Sequence, residues 1–318
     1  MTIGIAVHGK GAGLAAFRAL RAVEQVARGA IGGFASFVAL TDEGLVRAET
    51  QRGGSTTLFT AGERTGVEPP APIAEARAAA LMSSGPDRPT PLGQFTAGAE
   101  GIGLVTGHRV PNRPGVDGRS LLEGTLRALA GGADAEAAVR DQLDRNPEAD
   151  AGLIAIDRSG VVFAADSARV QRRTDRGRAH RTDPATGATV AVLHNSIHPV
   201  DGIAELAAAV ALDTMNPADR RDFGVLLQAG VPLSLGSAQA LLVDDGHCVR
   251  GIVVVDSALL QGRHEGGITG FRAEIRRGET PLGHAVDEPF GVVQDGRLVS
   301  ISGAPRTTIG VRQLPVPA

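Results

Sequence analysis

Apolar and polar positions along this chain repeat a three-part order. A short apolar run ends at a histidine in Gly4-Ile5-Ala6-Val7-His8, in Gly103-Leu104-Val105-Thr106-Gly107-His108 and in Val190-Ala191-Val192-Leu193-His194. Each run predicts a strand. A loop containing Gly, Pro or Asn follows each one. Then comes an Ala/Leu-rich stretch that predicts a helix, at about 14–28, 119–130 and 202–213. A hairpin closes each unit, at 37–49 around Thr41-Asp42-Glu43-Gly44, at 152–166 around Asp157-Arg158-Ser159-Gly160, and at 239–256 around Asp244-Asp245-Gly246. Recurrence of this kind constrains the fold before any chemistry is considered.

The expected units span about 2–60, 100–168 and 188–260 of a single domain, 1–318. Between the first two lies a Pro- and Gly-rich connector, 62–98, with one helix expected at 73–82 and its loosest part at Ser83-Ser84-Gly85-Pro86-Asp87-Arg88-Pro89. A second helix is expected at 133–143, with Asp134 as its N-cap. The basic stretch 171–187 is expected to be a solvated loop, and Pro217-Ala218-Asp219-Arg220 to start a helix reaching about Gln228. From 262 to 313 the pattern is β-rich, with a turn at Gln294-Asp295-Gly296-Arg297. The runs at 151–156 and 251–255 are almost continuously apolar, as in strands covered on both faces. Buried hairpins with helices between them predict an α+β fold with a layered αββα sandwich.

The core must be built from small aliphatics: 42% of the 318 residues are hydrophobic, yet there is no Trp, no Tyr and only nine Phe. A net charge of −3 and the lack of aromatic platforms argue against a nucleic-acid partner. No run is long enough to span a membrane, and Met1-Thr2-Ile3-Gly4-Ile5 enters a strand without a secretory pattern, so a cytoplasmic protein is expected. With Cys248 alone no intrachain disulfide is available. The expected partner is a small-molecule ligand or substrate, and a homo-oligomer is open.

Several stretches could carry chemistry. His194-Asn195-Ser196-Ile197-His198-Pro199 is the densest polar cluster, with Asn195 suited to stabilise an oxyanion and His194 or His198 to act as base. In Gly53-Gly54-Ser55-Thr56-Thr57 two glycines let a ligand approach the backbone, and Ser55 or Thr56 could attack it or hold it. Lys10, the one lysine, lies in a Gly-rich loop that lacks the phosphate-loop spacing. His8, His108 and His194 end matching strands and would form a zinc site if they converged, but they lack HxH or HExxH spacing, so neither a metal nor a cofactor is expected. The acidic hairpin tips and Cys248 read as turn chemistry and a structural thiol.

The order of elements from Gly101 to Asp166, with its Gly-Leu-Ile-Ala-Ile-Asp-Arg-Ser-Gly hairpin, and from Val192 to Asp213 resembles an uncharacterised bacterial family with the N-terminal-nucleophile (Ntn) hydrolase-like fold. The first hairpin, from Phe37 through Gly54, is similar to that of plant-type asparaginases and isoaspartyl peptidases. The resemblance implies hydrolysis of an amide-like bond in a small metabolite. At the position matching the family's nucleophile stands Phe34, with Ser36 the nearest hydroxyl, and Arg52-Gly53-Gly54 replaces a Thr-Gly-Gly segment, which implies action without autoproteolysis. The expected catalytic set is Ser36 or Ser55 with Lys10, His194 and Asn195, and Gly54, Thr56, His108 and His198 are the expected substrate contacts. Two alternatives stand beside it. One is a non-catalytic binding protein on this scaffold. The other is a three-unit ring-opening amidohydrolase, a family that needs three lysines.

Overall fold

A computed structural model describes residues 1–27, 31–216, 223–268 and 272–313. The chain divides into two compact units, Met1–Pro217 and Ala218–Ala318. The single expected domain therefore becomes two, and the third expected repeat is split. Its strand and helix lie in the first unit and its hairpin in the second.

The first unit runs β1 (Thr2–His8), α1 (Ala12–Val26), β2 (Ala35–Thr41), β3 (Gly44–Thr50), α2 (Ser55–Leu58), β4 (Thr60–Ala61), β5 (Arg64–Thr65), α3 (Ala71–Ala74), β6 (Ala78–Ser84), β7 (Ala97–Ala99), β8 (Gly103–Arg109), α4 (Leu121–Ala130), α5 (Ala135–Asp144), β9 (Ala151–Asp157), β10 (Val162–Asp166), α6 (Ala168–Gln171), β11 (Arg176–Thr182), β12 (Thr189–Asn195) and α7 (Ile203–Met215). One antiparallel sheet has the order β11-β12-β1-β6-β2-β3, and a second has the order β10-β9-β8-β7.

Strand alternation sorts the side chains into layers. Ile3, Ile5 and Val7 of β1 and Val190 and Val192 of β12 pack under α1 and α7. Ala6, Ala191 and Leu193, the intervening residues, pack instead against Leu104, Ile154 and Ile156 of the second sheet. The far face of that sheet carries Val105, Leu153 and Ala155 against α4 and α5. Small residues make the outer layer thin: Ala12, Ala15, Ala16 and Ala19 of α1 and Ala204, Ala207, Ala208 and Ala211 of α7 are all buried. Ser120 and Glu123 form a reciprocal capping box on α4, and Asp134 caps α5 as expected by accepting from the Ala137 N–H.

Two expectations fail in this unit. The helix expected at 73–82 is a single turn, α3, followed by β6, which lies between β1 and β2. Ala78-Ala79-Ala80-Leu81-Met82 has helical propensity, but pairing on both sides and burial on both faces override it. The basic stretch 171–187 is not a loop throughout, because β11 pairs along all seven residues with β12 and forms the sheet edge.

Apart from one 3-10 turn, Ser257–Leu260, the regular structure of the second unit is β among its described residues: β13 (Phe223–Gln228), β14 (Leu233–Leu235), β15 (Ala240–Val243), β16 (Val249–Val254), β17 (Arg263–Gly267), β18 (Glu274–Arg277), β19 (Thr280–Ala285), β20 (Phe290–Gln294), β21 (Arg297–Ile301) and β22 (Arg306–Gln313). A seven-stranded sheet, β13-β22-β19-β18-β15-β16-β14, and a three-stranded one, β17-β20-β21, share a Val/Ile/Leu core. The helix expected to reach Gln228 is β13 over its described part, and its start at 217–222 lies outside the described residues. The turn at Asp295-Gly296 is present, with φ of 48° and 72°.

Candidate functional site

The register of the first sheet brings four polar residues into one cross-strand row. Arg176 of β11 pairs with Asn195 of β12, Asn195 with Thr2 of β1, and Thr2 with Ser84 of β6. By alternation all four share the face turned toward the second sheet. There, His108 of β8 and Asp166 of β10 both flank Gly152 of β9. Their side chains meet across that glycine, with His108 Nε2 2.7 Å from Asp166 Oδ1. A Cβ on Gly152 would lie 2.3 Å from Asp166 Oδ1 and 2.5 Å from the His108 ring, so glycine is what lets the pair form. Arg176 reaches over from the first sheet to Asp166 Oδ2 at 3.2 Å. Burial works to raise Asp166's pKa, but hydrogen bonding and charge from His108, with Arg176 and Arg178 behind, hold the carboxyl below its usual range. His108 Nδ1 and Arg176 Nε are buried and have no partner among the described residues.

The Thr2 hydroxyl is held from two sides. Its Oγ1 accepts from the Arg109 N–H at 2.6 Å and donates to Asn195 Oδ1 at 2.7 Å. The Asn195 Nδ2 group donates to Ser196 Oγ at 3.0 Å, and Ser196 donates in turn to Asp175 Oδ2. Polarity runs one way: Asp175 is a carboxylate, so Ser196 must donate to it, Asn195 must donate to Ser196, and Asn195 is left offering its oxygen to Thr2. The hydrogen bond from Arg173 pulls Asp175's pKa down to about 2, aided by Ser196, which keeps the polarity fixed across ordinary pH. Arg109 and Ser196 both carry positive φ, 68° and 52°, an uncommon conformation for side-chain-bearing residues. Both strained positions flank Thr2, which is where function tends to hold strain.

A cavity of about 220 Å³ opens on this row, lined by Met1, Thr2, Arg88, Arg109, Val110, Asp150 and Asn195. Arg109 makes a two-pronged pair with Asp150, NH2 to Oδ2 at 2.6 Å. Burial alone would raise Asp150's pKa, and the Arg109 hydrogen bonds and charge overcome it to leave the carboxyl lowered.

The residues singled out from sequence do not gather in one place. Asn195 lines the cavity and His108 faces the same inter-sheet layer. His194 precedes Asn195 in β12 and so projects to the opposite face, where its register partner is Ile3 of the helix-covered core. It is fully buried with neither ring nitrogen partnered among the described residues, and burial lowers its pKa to about 4. It is therefore neutral at neutral pH and turned away from Asn195. His8 lies at the other end of β1, five residues from Ile3 and so about 17 Å along the strand. The three histidines do not converge, and no group of three or more His, Cys, Asp or Glu fit for a metal occurs among the described residues.

Lys10 is exposed beside a second cavity, of about 430 Å³, at His8's end, with Asp42, Glu75 and Arg77. Ser36 of β2 bonds Thr96 at 3.0 Å and pairs with Met82 of β6, which lies between it and Gly4 of β1. Ser55 opens α2 and is held through N–H and hydroxyl by Glu24 of α1, whose pKa burial raises. Gly54 sits at φ 50°, where a Cβ would lie 2.0 Å from Glu24 Oε1, so this glycine seats the carboxylate, while Gly53 makes room for the Thr57 and Thr56 side chains. The Thr56 hydroxyl bonds back to Gly53 O, and His198 is exposed in the loop after β12. Sequence reading missed Thr2, Arg88, Arg109, Asp150, Asp166 and Asp175.

Residues 2–223 match the family model of a domain of unknown function (DUF6963). The chain belongs to that family. Residues 230–306 match a second domain of unknown function (DUF7259). Neither a curated protein nor a solved structure matches the chain. Every residue of the Thr2 cavity lies in the DUF6963 unit or is the Met1 that precedes its match. No helix among the described residues is long and apolar enough to cross a membrane.

Proposed function

We propose that the DUF6963 unit hydrolyses an amide-like bond in a small metabolite, with Thr2 as nucleophile. The observation that carries this reading is the Thr2 hydroxyl, held between the Arg109 N–H and Asn195 Oδ1 at the mouth of a polar cavity. The reading requires that the bond before Thr2 be opened, by removal of Met1 or of any longer segment. The new α-amine then lies on the same residue as the hydroxyl and takes its proton. Arg88 and Arg109 beside it disfavour protonation of that amine and keep it a base. Thr2 Oγ1 attacks the carbonyl carbon, the amine passes the proton to the leaving nitrogen, and the C–N bond breaks to leave an ester on Thr2. Water, deprotonated by the same amine, attacks the ester carbonyl; the C–Oγ1 bond breaks, the amine returns the proton to Thr2 Oγ1 and the acid leaves. The Arg109 N–H is the nearest donor able to stabilise the oxyanion, whereas Asn195, expected from the sequence to do so, turns its amide oxygen to Thr2 and only orients the hydroxyl.

The order of layers in the unit, which is the order an Ntn-hydrolase-like fold would have, supports this choice. Helices, sheet, sheet and helices follow one another through the unit, and Thr2 opens a strand at the end of the inter-sheet layer. Placing the nucleophile at Thr2 also accounts for Phe34, which packs edge-on against Phe95 in a buried cluster and has no chemical role.

Mass spectrometry combined with an amidase screen tests the reading. Protein beginning at Thr2 is expected to release amine from a small-amide library, and protein retaining Met1, or Thr2→Val, is expected to release none. Equal release by Thr2→Val, with unchanged circular dichroism, would overturn it. While the bond before Thr2 is intact, the same cavity is a binding site without a base, which is the specific circumstance that favours the non-catalytic alternative.

A further inference from the structure

Arg88 is the one cavity-lining guanidinium without a carboxylate partner among the described residues. Arg109, the other, is paired with Asp150. Arg88 is nevertheless held firmly. Its backbone is clamped on both sides by Gln51, which donates Nε2 to the Arg88 carbonyl at 2.5 Å and accepts from the Arg88 N–H at 2.9 Å. Its Nε donates to Ser84 Oγ at 3.1 Å. Ser84 is the register partner of Thr2 on β6 and, at the even position, shares its face. The guanidinium is thus anchored on Ser84, the member of the row one strand over from Thr2, and among the described residues neither terminal NH2 group has a hydrogen-bond partner. Burial, then the nearby Arg109 charge, lower its pKa, so an anion there would relieve an unfavourable environment.

We propose that Arg88 is the specificity subsite of this cavity and that the substrate is a small amide bearing one carboxylate. This rests on the amidase reading above for its reaction and on the Arg88 geometry for its charge. With the α-amine neutral as the reaction requires, the two guanidinium side chains and the single Asp150 carboxylate leave the cavity one positive charge in excess, which a carboxylate neutralises and a phosphate ester, at close to two negative charges, would exceed. A volume of about 220 Å³ falls below the usual range for drug-sized ligands and suits a molecule of a few heavy atoms. A planar guanidinium offering two parallel N–H donors is matched to a carboxylate in shape as well as in charge.

The test is calorimetric titration with succinamate and with succinamide, which differ by one carboxylate, on the full chain carrying Thr2→Val so that binding is read without chemistry. Succinamate is expected to bind at least tenfold more tightly than succinamide. Arg88→Met is expected to remove that difference, and Arg88→Lys to keep part of it. Equal affinity for the two probes, no binding of either, or succinamate affinity unchanged in Arg88→Met would each overturn the proposal. The two readings fail separately. If only Thr2 is misassigned, Arg88-dependent binding persists without turnover. If only the subsite is wrong, protein beginning at Thr2 hydrolyses neutral amides as well in Arg88→Met as in the parent.

Discussion

Replacing His194 by Leu should stabilise the protein, and increasingly so as pH falls. In the folded chain this imidazole is fully buried beside Ile3 and against Gly177, where a Cβ would come within 2.2 Å of Nε2. Burial lowers its pKa from 6.5 to about 4; the charge of His108 adds to the shift, and Asp166 and Asp175 oppose it. The sign follows from proton uptake. Between those two values the unfolded chain binds a proton that the folded chain does not, so the titration of His194 costs almost nothing well above pH 6.5 and progressively more as pH drops toward 4. A shift of two to three units, at about 1.4 kcal/mol each, amounts to about 3 kcal/mol when complete. Leu is close in volume and removes two buried nitrogens that lack partners, so the variant is expected to be at least as stable at pH 7.5. The gap should widen by about 2 kcal/mol between pH 6.5 and 5. With no Trp or Tyr in the chain, urea melts are followed by far-UV circular dichroism, and the variant-minus-parent difference at each pH cancels other titrating groups. A gap that stays constant with pH, or a His194 resonance titrating near 6.5 in the folded protein, would refute the reasoning.

Other perturbations have definite expectations. Gly152→Ala drives a methyl group into the His108–Asp166 pair and should cost about 2–4 kcal/mol by urea melt, through overpacking and loss of a buried hydrogen bond. Ser120→Ala removes the α4 capping box and should cost about 1 kcal/mol while leaving any turnover unchanged. Asp175→Asn destroys the fixed polarity of the chain through Ser196 and Asn195 to Thr2. It should lower turnover of a small amide by about 10- to 100-fold with little effect on the melting profile, the kinetic equivalent of one charge-assisted hydrogen bond.

Much of the first unit was legible because its strands and hairpins are local patterns. The three His-terminated strands, the hairpins at 41–44 and 157–160, and the Asp134 cap all stand where alternation and turn residues put them. What failed was set by long-range pairing. Nothing local distinguishes Ala78-Ala79-Ala80-Leu81-Met82 from a helix; its strand state comes from β1 and β2 on either side. The basic run 176–182 is a strand because β12 offers it an edge. The split after Pro217 separates a strand and helix from a hairpin that sequence order joins into one unit.

The site was hidden for the same reason, and His194 and Asn195 show how. Sequence proximity makes them the obvious base and oxyanion donor. Period-two alternation makes them the two adjacent residues of β12 least able to act together, one in the helix-covered core and the other in the inter-sheet layer. Residues that do meet are separated by 193 positions, as in Thr2 and Asn195, or by 107, as in Thr2 and Arg109. Such pairs are joined by register, and a one-residue slip of β12 against β1 would exchange His194 for Asn195 beside Thr2. Gly177 stands against that slip, because it gives the His194 ring room on the helix side that any larger residue would take. A glycine with no chemistry of its own thus fixes which of two polar neighbours reaches the cavity.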